Sequence, residues 1–287
     1  MVSKSLESED VVFLSEGLEL KGVIREVIDS QPKAVVICHG AFEDQENWVS
    51  LAETIAIEGY TTFTFDFAGH GKSQGIGAQV NMPTWAYNLR DALNFMGTRG
   101  YHRFALVGWG SGGTAVILAC AHDPRIACSV VLSSPILLVP SISDRMAFGI
   151  ASIAAHVKKY FWKTPLTLSR LNEIEEMHLL EDEEANKEYL SKPEVREIYR
   201  AVPVLESLDS VWIDITNAIG KINNPVMIIH GAKDEIIPKA QSYKLYTRLQ
   251  STKELHIIEE SGHALHLDQK KDEVYKLIIR WIKRHLQ

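Results

Sequence analysis

Asp234, in His230-Gly231-Ala232-Lys233-Asp234, and His263, in Ser261-Gly262-His263, are the residue types of an acid–base relay. A carboxylate that orients an imidazole, and an imidazole that moves a proton, is what acyl transfer requires. Each alone would pass as a turn or helix-capping residue. Their order behind a third segment changes the reading. Gly108-Trp109-Gly110-Ser111-Gly112-Gly113 follows an apolar run and opens a helix-period stretch at Thr114-Ala115-Val116. Strand, glycine-rich turn and helix make the layout of a nucleophile elbow, G-x-S-x-G, whose central residue takes a strained φ>0 and whose flanking positions must be small. Nucleophile, acid, base is the chain order that such an elbow expects.

Two further glycine-bearing turns lie upstream. His39-Gly40-Ala41-Phe42 follows an apolar run. A glycine there lets the backbone fold over a neighbouring site, so that its amides meet a developing oxyanion. His39, Gly40, Ala41, Phe42, Trp109 and Ser111 are therefore the expected oxyanion and substrate-binding residues. Asp66-Phe67-Ala68-Gly69-His70-Gly71-Lys72-Ser73 has the look of a phosphate loop but lacks the GxxxxGK[ST] spacing.

These turns need a scaffold, and the hydropathy pattern supplies one. Residues 10–14 and 18–28 alternate apolar and polar, as half-buried antiparallel strands do. Continuous β-branched runs follow at 34–38, 61–67, 104–107, 128–132, 226–229 and 255–258, the pattern of strands covered on both faces. Helix-period segments at 48–58, 84–96, 114–121, 240–249 and 272–285 lie between most of them. The class is α/β: a mostly parallel, doubly wound sheet whose ligands bind beyond the carboxyl ends of the strands. The alternation fails between residues 135 and 221. Helix-like stretches at 146–159, 167–178, 182–191 and 193–200 suggest a helical cap, with the acid run from Glu173 to Glu184 as a solvated face. The expected division is a core of residues 1–134 and 222–287 with a cap of 135–221.

Composition bounds the rest. With 287 residues, 46% hydrophobic and 23% charged, the chain reads as one large globular domain bearing an insertion. A net charge of −7 argues against a nucleic-acid groove or a polybasic membrane anchor. The first seven residues lack the apolar core of a secretory signal. Cys38, Cys120 and Cys128, odd in number and without CxxC pairing, read as reduced core thiols and point to the cytoplasm. The eleven histidines show no metal-ligand spacing, and neither metal nor cofactor is expected.

Taken together, His39-Gly40, the turn from Asp66 to Ser73, the elbow, His230-Gly231-Ala232-Lys233-Asp234 and Ser261-Gly262-His263 resemble the α/β-hydrolase superfamily over nearly the whole chain. The resemblance is nearest to lid-bearing serine esterases, monoacylglycerol-lipase-like enzymes and S33-type serine hydrolases. It implies hydrolysis of a small-molecule ester by a serine triad. One position departs. Aligned on Val107-Gly108, the family's G-x-S-x-G-G becomes Gly108-Trp109-Gly110-Ser111-Gly112-Gly113, and the nucleophile seat falls on Gly110. The other register makes Ser111 the nucleophile but sets Trp109 where close packing needs a small residue.

Three catalytic readings follow: a serine hydrolase that lost its nucleophile, a shifted elbow in which Ser111 attacks, or water at the Gly110 seat activated by His263, with amides of Ala41 and Ser111 as the oxyanion hole. The working expectation is hydrolysis of a carboxylic ester or thioester with an apolar acyl group. Its alternative is a catalytically impaired homologue that binds a small molecule or serves as a scaffold. Residues 136–139 and 146–155 are expected to line the acyl pocket.

Overall fold

The computed structural model describes residues 5–27 and 31–287. The first four residues and Ile28, the last of the second expected strand, lie outside these. A hairpin of β1 (Leu6–Ser15) and β2 (Leu18–Val27) opens the chain. There follow β3 (Gln31–Cys38), α1 (Val49–Ile57), β4 (Tyr60–Phe65), α2 (Met82–Thr98), β5 (Phe104–Trp109), α3 (Gly110–Cys120) and β6 (Ile126–Leu132). Between β6 and the next long strand lie β7 (Leu137–Leu138), α4 (Ile142–Trp162), β8 (Thr167–Leu168), α5 (Leu171–Ile174), α6 (Glu183–Ser191), α7 (Pro193–Arg200), β9 (Val202–Pro203), β10 (Ile213–Asp214) and α8 (Thr216–Ile219). The chain ends with β11 (Val226–Gly231), α9 (Ala240–Arg248), β12 (Lys253–Ile258) and α10 (Lys271–His285).

Eight strands form one sheet in the order β1-β2-β4-β3-β5-β6-β11-β12. The β1–β2 and β2–β4 pairs are antiparallel, and every later pair is parallel. Strands β4, β5, β6 and β11 are buried at every residue, as their unbroken apolar runs require when helices cover both faces. One cluster beneath α2 and α3 centres on Phe63, Phe65, Phe67, Trp85 and Leu106. A second, under α1 and α10, centres on Val107, Trp48, Ile229 and Trp281. All three cysteines are buried and unpaired, and burial raises their thiol pKa, to about 11 for Cys120 and about 12 for Cys128.

Two expectations need correction. Residues 167–178 do not form one helix: Thr167–Leu168 pairs with Val202–Pro203 as a short antiparallel ladder, and only Leu171–Ile174 is helical. The β-branched Thr167 favours the strand, and the short helix carries an i,i+3 ion pair from Arg170 to Glu173. Residues 146–155 do not line the site either; on α4 only Ala155 is buried, and the large apolar side chains face outward.

Candidate active site

The elbow follows from local packing. Trp109 is extended, with φ −117° and ψ 143°, and Gly110 turns the chain into α3 with φ +54°. The glycines around it are demanded by contact. A Cβ on Gly112 would run into the His39 carbonyl and one on Gly113 into the Ser134 hydroxyl, while one on Gly108 would lie 2.8 Å from Gly113 Cα. Gly110 is different. A Cβ there would meet only Gly40 Cα and His263 Nε2, each at 3.9 Å, so the space in front of the imidazole is open. Ser111 lies one residue into the helix and makes no hydrogen bond to His263 among the described residues.

His263 reaches this space from the loop after β12. Its Nδ1 donates to Asp234 Oδ2 at 2.8 Å. A carboxylate only accepts, so the proton sits on Nδ1 and the Nε2 lone pair faces Gly110. Asp234 is shielded from solvent and fully engaged. Its Oδ1 accepts from the amides of Ile236 and Ile237 at 2.9 and 2.8 Å, and Oδ2 also lies 3.2 Å from His230 Nε2. Burial alone would raise its pKa, but the charge of His263 and these hydrogen bonds outweigh burial and hold it well below the carboxylate range. Trp109 closes the arrangement: its indole Nε1 donates to the His263 carbonyl at 2.8 Å, and its ring packs 4.8 Å from the imidazole.

Ala41 and Ser111 both line the same space. The Ala41 amide donates to no acceptor among the described residues, and the Ser111 amide belongs to the unsatisfied first turn of α3. Ala41, Phe42, Trp109, Gly110, Ser111 and His263 line one cavity of about 140 Å³, walled by Leu138, Met177, Leu179, Val195, Tyr199 and Ile237. Gly40 lies behind it, where a Cβ would overlap the Trp109 indole. His39 does not reach the cavity. Its Nδ1 donates to the Gly40 carbonyl and its Nε2 accepts from the Phe67 amide at 2.9 Å, so it holds the loop from the core side. The glycine-rich turn after β4 is filled by its own acid: Asp66 accepts from the amides of Gln45 and Lys72, which leaves no cradle for a phosphate.

Sequence reasoning missed Glu43, which lines the cavity floor yet is nearly fully buried. Its carboxylate accepts from the Gly40 amide (3.0 Å), Trp48 Nε1 (2.7 Å), Asn47 Nδ2 (3.1 Å) and His266 Nε2 (3.2 Å). Burial pushes its pKa up, but His266, His39 and the Gly40 amide more than offset this and leave it lowered. The one available signal was an acid three residues after Gly40, too common in loops to single out. Arg170 was also missed; its guanidinium stands 5.6 Å above the Phe42 ring at the cavity wall.

Sheet order, elbow and the Asp234–His263 pair define an α/β-hydrolase fold. Residues 29–270 match the family described as serine aminopeptidase, S33, and the chain belongs to that family. It is similar to the monoglyceride lipase homolog of Monkeypox virus, with 28% identity over 88% of this chain and 90% of the relative. It is also similar to a carboxylesterase of Bacillus subtilis, with 23% identity over 88% and 93%. Among solved structures, the α/β hydrolase GrgF from Penicillium sp. sh18 superposes with a TM-score of 0.82 at 19% identity, over 97% of this chain and 99% of that one. The monoacylglycerol lipase of Paleococcus ferrophilus gives 0.68 at 20%, over 97% and 98%. The chain is thus an enzyme of the esterase and lipase type, in the monoglyceride-lipase-like branch of the superfamily.

Proposed function

We propose that the chain hydrolyses carboxylic esters or thioesters with a small apolar acyl group, using water at Gly110 in place of a serine. The observation that carries this is the open space in front of His263 Nε2 where a Gly110 side chain would stand. In this reading the substrate carbonyl oxygen lies between the amides of Ala41 and Ser111, and the acyl group enters the apolar cavity. His263 Nε2 takes a proton from the water as its oxygen bonds to the carbonyl carbon. The tetrahedral intermediate then expels the alcohol or thiol, which receives that proton from Nε2, while Asp234 stabilises the imidazolium. Core residues 1–134 and 222–287 supply every one of these groups, and residues 135–221 act as a cap that closes the acyl cavity.

Cavity size supports the acyl assignment. An apolar cavity of ~150 Å³ admits a benzene-sized guest, so 140 Å³ suits a short or aromatic acyl group. Similarity to a carboxylesterase and to a monoacylglycerol lipase supports an ester substrate. Without a covalent nucleophile, turnover is slow: the oxyanion hole and binding supply roughly 10³–10⁴ over water, and general-base assistance by His263 adds to that share. The test compares the unmodified chain with Gly110→Ser and Ser111→Ala on p-nitrophenyl butyrate and phenylacetyl thioesters, alongside a fluorophosphonate probe. Expected are slow, probe-resistant turnover in the unmodified chain, the same in Ser111→Ala, and probe labelling in Gly110→Ser. Labelling of the unmodified chain that vanishes in Ser111→Ala would overturn the water mechanism.

A further inference from the structure

Phe42 follows Ala41 directly and has a strained backbone. Its φ is +63°, the left-handed region where a Cβ crowds the following carbonyl. A bulky residue persists there only when its surroundings over-determine it. The loop is short and tied at both ends. The Gly40 amide donates to Glu43 Oε1 at 3.0 Å, and Glu43 is itself fixed by Trp48, Asn47 and His266. Only Ala41 and Phe42 lie between these anchors. A change of φ at Phe42 must therefore be absorbed at Ala41, whose amide is the proposed oxyanion donor.

The side-chain restraint on Phe42 comes from residues 135–221. Its ring packs against Tyr199, with centroids 5.1 Å apart, and the Arg170 guanidinium stands over its face at 5.6 Å. Both holders are fixed in turn. The Arg170 amide donates to the Tyr199 carbonyl at 2.8 Å, beside the ladder that ties Thr167–Leu168 to Val202–Pro203. Glu173 accepts from Arg170 Nε at 2.8 Å, and Tyr199 is buried. From the core side the Phe42 amide makes one long hydrogen bond, 3.4 Å to His70 Nε2.

We propose that Arg170 and Tyr199 are positioning residues, which hold Phe42 in its left-handed conformation and thereby set the Ala41 amide for the reacting carbonyl. The effect on rate rests on the hydrolytic reading; the effect on the loop does not. Arg170 acts through the ring of Phe42 and not as a receptor for a substrate anion, since Glu173 already takes its Nε and Nη2. Glycine adopts positive φ without a Cβ, so a chain with glycine at position 42 has no strain for these residues to hold.

Amide hydrogen exchange over residues 39–43 and steady-state kinetics on p-nitrophenyl butyrate test this together. Arg170→Met/Tyr199→Leu should speed exchange in that segment about tenfold or more, while β5 and β6 keep their protection. It should lower kcat about tenfold or more at nearly unchanged KM, because a misaimed oxyanion donor is lost mainly in the transition state. Added to Phe42→Gly, the same pair should lower kcat by a factor of only about two, the non-additivity of a shared contact. Tyr199→Leu should cost more kcat than Tyr199→Phe, which keeps the ring. If the double variant folds poorly, Arg170→Met alone should still speed exchange about threefold. Unchanged exchange in these variants, or an equal kcat loss with and without the Phe42 ring, would overturn the proposal. Faster exchange in a chain that turns over no ester would sink the hydrolytic reading and uphold the hold on Phe42.

Discussion

His263 Nε2 lies 3.9 Å from the point where a side chain on Gly110 would begin, which is the separation a serine hydroxyl would bridge by hydrogen bonding to the ring. The imidazole is aimed at a residue that has no side chain to deprotonate.

In the proposed mechanism the imidazole is the only general base. His263→Ala should abolish ester turnover in both the unmodified chain and Gly110→Ser. Asp234→Asn should lower kcat by at least 10²-fold with little change in KM, since the wrong tautomer exposes N–H rather than a lone pair to the seat. Steady-state kinetics at pH 8 on p-nitrophenyl butyrate read both, and undiminished turnover in His263→Ala would remove the histidine from the chemistry.

The elbow glycines should separate sharply in stability. At Gly110 an alanine meets open space and bears only the left-handed backbone cost, ~1–2 kcal/mol. At Gly112 and Gly113 an alanine collides with the His39 carbonyl and the Ser134 side chain. Those two variants should lose ~3 kcal/mol or more, or fail to fold, as overpacking against backbone does. Urea unfolding of the three proteins checks the order.

Acid should unfold the chain in two stages. Burial lowers the pKa of His70 from 6.5 to about 3, so the folded protein keeps it neutral while the unfolded chain takes up a proton below about pH 6.5. The unfolded state then binds more protons, and stability falls between pH 6.5 and 3 by up to ~1.4 kcal/mol per pH unit. Asp234 and Glu43 have lowered pKa values in the fold, so their contributions are full above their unfolded values of 3.8 and 4.5 and drain away below them. Chemical denaturation from pH 7.5 to 5 should show the first stage, and His70→Gln should flatten it.

Glu43→Gln tests the floor of the cavity. Replacing one carboxylate oxygen by an NH2 sets a donor against the donors it served, among them His266 Nε2 and Asn47 Nδ2. Disturbing a buried charge with four partners should cost on the order of 3 kcal/mol in urea unfolding at pH 7.5. A loss below half of that would mean that solvent or a neighbour readily takes over the acceptor role.

Much of this architecture was legible beforehand because its signals are local. Strands β3, β4, β5, β6 and β11 announce themselves as continuous β-branched runs, and the elbow, Asp234 and His263 by order along the chain. The direction of α4 was not legible. Periodicity reveals that Met146, Ile150 and Ile153 share a face, but only packing decides whether that face meets the sheet or the solvent. Glu43 was equally hidden, since its partners Trp48 and His266 are brought to it by different segments, the latter 223 residues away.

In a triad the nucleophile's hydroxyl is also a tether for the imidazole, and removing it would normally let the ring wander. Here Trp109 holds the His263 backbone carbonyl from the elbow itself, and Asp234 holds the far nitrogen. Backbone and ring of His263 are thus each held by a bond that owes nothing to a side chain at Gly110, and the proposed water mechanism uses a base whose aim is set from the far side.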